Sequence, residues 1–407
     1  MSIFNRRHST GNIKYSIFSR QSSTVSLKYS ILLALAWACG GAAPKPAATA
    51  AGTAFETLYR PAWASGFYIE RRGDEKRLHV FNPWQGAENT ELCYRLLPRA
   101  TFADTMPANC IAVPVRRAVC LSTTHLAFID YLGQTPTVVG LSGAGYVSSP
   151  TIRERVAGGL VHEVGYEEHL SYETIVSLQP DVLFAYGVNG EMKAVTDKLN
   201  GLGVRVVYLA DYLEEHPLGK AEYMVAVAAF YQLEDTAAAA FGQIASAYEA
   251  LAARGRAARE RAPDARPRVI MNAPWRDAWY MPGEDSYMTK LMLDAGAQPL
   301  GVRRGRESRP VSLEAAYAYV LEADFWLHPN AMRSMSELKD TDRRFAAAPA
   351  VMNGKVYNNT RRATPAGGSD FWESGAVCPQ VILQDLQHIF HPEWSPDYEP
   401  VYYEPLR

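Results

Sequence analysis

Two clusters in this chain carry side chains suited to gripping a large, flat or chelated molecule. The run Arg303-Arg-Gly-Arg-Glu-Ser-Arg309 puts four arginines in seven residues. A guanidinium offers a planar fork to carboxylates and stacks on rings, which makes Arg306 and Arg309 candidate ligand contacts. The plain alternative is a solvated basic loop. The segment Asn272-Ala-Pro-Trp-Arg-Asp-Ala-Trp-Tyr280 sets three aromatic rings just after a strand-like run. Trp275 and Trp279 therefore either wall a cleft or pack beneath a loop. His125, at a helix start, offers a coordinating nitrogen or an ordinary hydrogen bond. Catalytic machinery is not evident. The chain has no G-x-S-x-G, no H-E-x-x-H and no G-x-x-x-x-G-K-[ST], and no G-x-G-x-x-G follows its first lobe strand. Glu167, Glu168 and Asp211 make a carboxylate site only if folding gathers them. No catalytic residue, resident metal or cofactor is assigned.

Composition narrows the partners. A net charge of −2, with no concentrated basic stripe, gives no sign of nucleic-acid binding. The first 28 residues carry Arg6, Arg7, Lys14, Arg20 and Lys28 and no acid. An apolar run, Ile31 to Ala38, follows and ends at Cys39-Gly-Gly. This order describes a secretory signal over residues 1–38, whose apolar run is too short to span a bilayer comfortably. Cys39 after Ala38 resembles a bacterial lipoprotein signal, in which the thiol is lipidated; an ordinary cleaved signal with an incidental Cys is the alternative. Residues 39–54 then form a low-complexity tether. Export permits disulfides. Cys93 and Cys110 flank a Pro-containing connection between two strand-like runs and are the candidate pair, whereas Cys120 reads as a buried thiol.

The elements that must position these residues alternate in type. Residues 55–113 read as a β-rich extension of short strands. From 114 to 217, strand and helix alternate at short spacing, which predicts a parallel sheet with covering helices. Residues 218–264 are helical, and one helix from about 235 to 261 would span about 40 Å. Alternation resumes over 265–392, before a tail at 393–407. One unit recurs. Leu170-Ser-Tyr-Glu-Thr-Ile-Val-Ser-Leu-Gln-Pro-Asp-Val-Leu-Phe-Ala-Tyr186 returns in degenerate form as Val311-Ser-Leu-Glu-Ala-Ala-Tyr to His328. Each copy starts a helix with Ser, places Glu two residues on, and sets Asp before an apolar run.

Arg117-Ala-Val-Cys-Leu-Ser, Ala127-Phe-Ile-Asp-Tyr-Leu-Gly133, the repeated unit with Glu173 and Pro180-Asp181, Leu202-Gly-Val-Arg-Val-Val-Tyr208 and Leu293-Asp-Ala-Gly296 carry a family likeness. From about 114 to 390 the chain resembles bacterial ABC-transporter substrate-binding proteins of the iron-siderophore, haem and cobalamin type. The resemblance implies an α/β fold of two Rossmann-like lobes, with mostly parallel sheets, joined by a single long helix. It implies a metal-chelate ligand held between the lobes by a monomer that is lipid-anchored in the periplasm. Its partners would be an ABC permease and its ATPase, and one exposed Glu on each lobe, Glu173 and Glu314, would dock on the permease. The β-rich extension departs from the minimal family.

Ligands of open α/β sheets lie beyond the carboxyl ends of the strands. That rule selects Ser122, Thr124, His125, Tyr146, Tyr166 and Tyr186 from the first lobe. From the second it selects Trp275, Trp279, Tyr280, the Arg303–Arg309 loop, His328 and the loop holding Arg361, Arg362 and Trp372. Two other functions fit the same plan: a chelatase-like or cluster-handling enzyme, and a surface haem-capturing protein.

Overall fold

The computed structural model describes residues 54–407 except 167–168, 188–191 and 277. The signal segment, Cys39, Glu167 and Glu168 lie outside the described residues. In the extension, β1 (Glu56–Tyr59), β2 (Phe67–Arg72), β3 (Glu75–Phe81), β4 (Glu91–Pro98) and β5 (Cys110–Val113) form one sheet in sequential order. All pairs are antiparallel except β4–β5. Phe67, Ile69, Leu78, Val80 and Leu96 turn inward to the main core. The other face carries a ladder in which Glu75 meets Arg77 and Arg95, and Arg77 also meets Glu70. The candidate Cys93–Cys110 disulfide is absent, and both thiols are free. The register explains this: Cys110 lies opposite Arg95, two residues along β4 from Cys93. That offset alone is roughly 6.6 Å along the strand, too far for a bridge once the strand separation is added.

The first lobe runs β6 (Ala118–Cys120), α1 (Thr123–Tyr131), β7 (Val138–Leu141), α2 (Pro150–Ala157), β8 (His162–Glu163), α3 (Tyr172–Ser177), β9 (Val182–Ala185), α4 (Met192–Gly201) and β10 (Val206–Tyr208). Its strands form a parallel sheet in the order β10-β9-β6-β7-β8. Ser122, Ser149 and Ser171 cap α1, α2 and α3 by accepting from backbone N–H groups of the first turn. The central strands are buried on both faces, as parallel strands between helices must be.

The helical segment is two helices. Every residue of α5 (Pro217–Ala229) is buried, and α6 (Glu234–Arg261) is 28 residues long. A helix buried on every face belongs inside a protein, and α5 occupies the middle of the core, its two charged side chains paired there, Lys220 with Asp211 and Glu222 with Tyr59 Oη. That one core takes in the extension, the inner faces of both lobe sheets, α5 and α6.

The second lobe continues with β11 (Arg268–Met271), β12 (Ala278–Met281), α7 (Tyr287–Asp294), β13 (Gln298–Pro299), β14 (Arg309–Ser312), α8 (Leu313–Glu322), β15 (Phe325–Leu327), α9 (Met335–Thr341), α10 (Pro349–Met352), β16 (Val356–Asn358), α11 (Ser374–Val377), α12 (Pro379–Phe390) and β17 (Glu404–Pro405). Its sheet order is β13-β11-β15-β16-β17, parallel but for the edge strand β17. Strands β12 and β14 make a separate antiparallel ribbon. Residues read as a tail thus close the sheet, and Asp385 holds them by accepting from Tyr398 Oη and from the Val401 and Tyr402 amides.

The repeated unit now has a mechanical meaning. Asp181 accepts from the Arg116 and Arg117 amides at the start of β6, and Asp324 accepts from the Arg268 amide at the start of β11. In each lobe the Asp that precedes one strand grips the beginning of its neighbour. This fixes the strand register and hence the level at which both sets of carboxyl ends emerge.

Candidate functional site

The carboxyl ends of the first-lobe strands open into a cavity of about 330 Å³. Ser122 and Ser142 line it after β6 and β7, with Tyr146, Tyr166, Tyr186 and Tyr212 as walls. The rings fall into two pairs. Tyr146 and Tyr166 lie 6.3 Å apart, as do Tyr186 and Tyr212, the latter pair edge to face. Tyr146 and Tyr166 are 45% and 46% exposed, so both side chains are accessible to a ligand. The fold therefore brings three of the sequence-selected residues, Tyr146, Tyr166 and Tyr186, into one wall. Tyr212 was not selected, although it lies just beyond β10, where the carboxyl-end rule applies equally.

Asp211 forms the floor and is 2% exposed. His125 Nε2 lies 3.0 Å from its Oδ1, and Lys220 Nζ lies 3.6 Å from its Oδ2. Burial pushes the carboxyl up, but the His125 hydrogen bond and the Lys220 charge outweigh burial and hold it below the usual carboxylate range. His125 is thus corrected from ligand contact to support. It is fully buried behind the floor with its Nε2 committed to Asp211. Among the described residues no cluster of three or more His, Cys, Asp or Glu side chains is arranged to hold a metal ion.

The second lobe sorts its candidates differently. Trp279 is 0% exposed, stacks on Trp326 at 5.3 Å and donates its indole N–H to Met271 O. It is a core residue, because β12 alternates sides and turns Trp279 and Met281 inward while Tyr280 faces out. Trp275 is 62% exposed and lines a separate open depression with Asn330 and Met332. His328 is also corrected: it is buried against Tyr403, 2.8 Å from that hydroxyl, and burial lowers its pKa to about 3. Arg309 is exposed at the start of β14, and Arg306 donates to Leu213 O of the first lobe.

Loop 359–373 carries the second lobe onto the first. The Trp372 carbonyl accepts from Thr124 Oγ1 at 3.0 Å, and Trp372 itself is 41% exposed. Thr364 Oγ1 donates to Gly145 O. Gly368 packs so tightly that an added Cβ would lie 2.0 Å from Tyr146 O. Buried Glu373 accepts from the Ser148 and Ser149 amides, both at 2.7 Å, across the lobe junction. Burial pushes its pKa up to about 7 despite those two bonds. Glu173 and Glu314 sit exposed in the first turns of α3 and α8.

A family model described as periplasmic binding protein matches residues 119–363. Two uncharacterized lipoproteins of Methanocaldococcus jannaschii are each 25% identical to this chain. One aligns over 294 residues, 70% of this chain and 67% of the relative, and the other over 295, 70% and 71%. A periplasmic haem-binding protein from Pseudomonas aeruginosa shares the fold with a TM-score of 0.53 at 19% identity, covering 72% of this chain and 98% of that one. A possible iron-binding periplasmic solute-binding protein from Staphylococcus epidermidis gives 0.51 at 16% identity, covering 68% and 99%.

Proposed function

The chain belongs to the periplasmic binding protein family, whose members bind solutes without converting them, and on that premise we propose that it captures a metal complex between its two lobes for an ABC importer. The ligand class is an iron-siderophore, haem or a cobalamin. The observation that carries this reading is the tyrosine-walled cavity at the carboxyl ends of the first-lobe strands, opposite loops of the second lobe. Aromatic faces suit a large chelate, and the serine and tyrosine hydroxyls suit its polar rim. Structural likeness to haem-binding and possible iron-binding proteins supports the same class. The enzyme alternative falls with the family assignment.

In this reading residues 114–217 and 265–392 are the gripping lobes and 218–264 joins them. Cys39 is lipidated and tethers the monomer in the periplasm. Glu173 and Glu314 meet basic residues of the permease, which is driven by its ATPase. The test is titration of the purified mature protein with haem, a ferric siderophore and cobalamin in turn, followed by tryptophan fluorescence and ligand absorbance. One-to-one binding of one of them, unchanged in chemistry, is the expected result. No binding to any of the three would reject the metal-complex reading.

A further inference from the structure

The extension departs from the resemblance that describes the lobes, yet its β3–β4 turn reaches both of them. The turn is built stiffly. Asn82 N donates to Thr90 O, Thr90 N donates to Asn82 Oδ1, and Ala87 N donates to Trp84 O. Asn82, Gly86 and Asn89 take positive φ angles of 44°, 80° and 52°, which suits Asn and Gly at these positions. On the first lobe, Trp84 bridges to Gly187 and packs edge-on against Tyr208. The Gln85 backbone N–H donates to Tyr212 Oη at 3.1 Å, and that hydroxyl in turn donates to Gly187 O. Tyr212 in turn stands edge to face with Tyr186 in the cavity wall. On the second lobe, Gln85 Nε2 donates to Glu307 Oε1 at 3.0 Å, inside the Arg-rich loop. The neighbouring Arg306 bonds Leu213 O of the first lobe.

From these contacts we propose that the Asn82–Thr90 turn is a strap that ties the two lobes at one end of the cleft, sets the Tyr186–Tyr212 wall and so slows ligand escape. The retention part rests on the solute-binding reading above; the strap itself does not. At the other end of the cleft, Glu373 and Thr364 already join the lobes. With the strap in place both ends are held, and a ligand leaves only when one end opens. Gln85 is then a positioning residue: its side chain acts through Glu307, while its backbone N–H, which every variant keeps, holds Tyr212.

Two readouts test this on the mature protein. Hydrogen exchange is followed in peptides covering 82–90, 208–214 and 303–309. Gln85→Ala and Glu307→Ala should each speed exchange in both the 82–90 and the 303–309 peptides. The double variant should add little to either single change, since both remove one contact. Glu307→Gln keeps an acceptor and should stay close to the parent. Unchanged exchange at 303–309 in Gln85→Ala overturns the strap. Dissociation is then measured with whichever of haem, a ferric siderophore or cobalamin the parent binds. Gln85→Ala should release it about two- to tenfold faster, the range of one net hydrogen bond. Coupled exchange with unchanged dissociation overturns the retention role. A parent that binds none of the three rejects the solute reading, while exchange still decides the strap.

Discussion

Replacing Glu373 by Gln should flatten the fall of stability with rising pH. Glu373 is 2% exposed and bridges the lobes through the Ser148 and Ser149 amides. Burial outweighs those bonds, with Asp370 and Asp130 adding repulsion, and lifts the carboxyl from an ordinary 4.5 to about 7. The folded state therefore holds a proton that the unfolded chain releases. Between pH 4.5 and 7 the folded form binds more protons, so stability falls as pH rises through that window. At about 1.4 kcal/mol per pH unit, the loss is about 3 kcal/mol, fully present above pH 8 and absent below pH 4. For a folded chain of this size, unfolding entropy is about 0.7 kcal/mol per kelvin, so the loss corresponds to about 4 °C in Tm. Glu373→Gln keeps the shape but does not titrate. Its amide group faces one of the two N–H donors, which adds a constant cost of about 1–3 kcal/mol at every pH. The diagnostic is therefore the difference between the two pH profiles, measured by calorimetry from pH 4 to 8. Glu214, Asp294 and Asp385, whose carboxyls are also raised by burial, are present in both proteins and cancel. Parallel profiles would refute the reasoning.

Trp279→Ala should cost about 3–5 kcal/mol, whereas Trp275→Ala should stay within about 0.5 kcal/mol; denaturant titration separates them, and equal losses would contradict the burial argument. Asp211→Ala leaves buried His125 and Lys220 without their carboxylate and should destabilise by about 3–5 kcal/mol, read as a lowered Tm. The Glu173→Arg/Glu314→Arg double variant should lower uptake about tenfold or more, with ligand affinity and Tm unchanged. Full uptake by that variant sinks the docking assignment.

The lobes were legible because their signals are local. Apolar runs such as Val182–Ala185 mark strands buried on both faces, and Ser before a periodic segment marks the helix starts at Ser122, Ser171 and Ser312. The cavity was half legible. Tyr146, Tyr166 and Tyr186 follow from the carboxyl-end rule, but Trp279 was misplaced because strand β12 is only four residues long and its alternation is hidden beside the Pro274 loop. Asp211 and Glu373 act through partners 86 and 225 residues away, and no local pattern carries such pairings. Whether Cys93 and Cys110 pair is decided by a register offset of two residues, which spacing along the chain does not encode.

The repeated Ser-x-Glu at each lobe's helix start separates two explanations of Glu173 and Glu314. An acid at the third helical position can reach back over the helix start, as Glu337 does by accepting from the Arg333 amide while its own N–H donates to the Ser334 cap. Glu173 and Glu314 stand one position earlier, after Ser171 and Ser312, and neither carboxylate makes a hydrogen bond or ion pair among the described residues. The local value of Glu173 is then the helix-dipole contribution, about 0.3–1 kcal/mol, to which Glu314 adds a through-space attraction to Arg344. Asp181 and Asp324, the other acids shared by both copies, are by contrast fully used in gripping neighbouring strands. Of the acids the repeat preserves, one pair builds the lobes and the other remains exposed on them. An exposed carboxylate without a hydrogen bond, at the same position in each copy of the repeat, is the arrangement that a two-point contact with a basic partner requires.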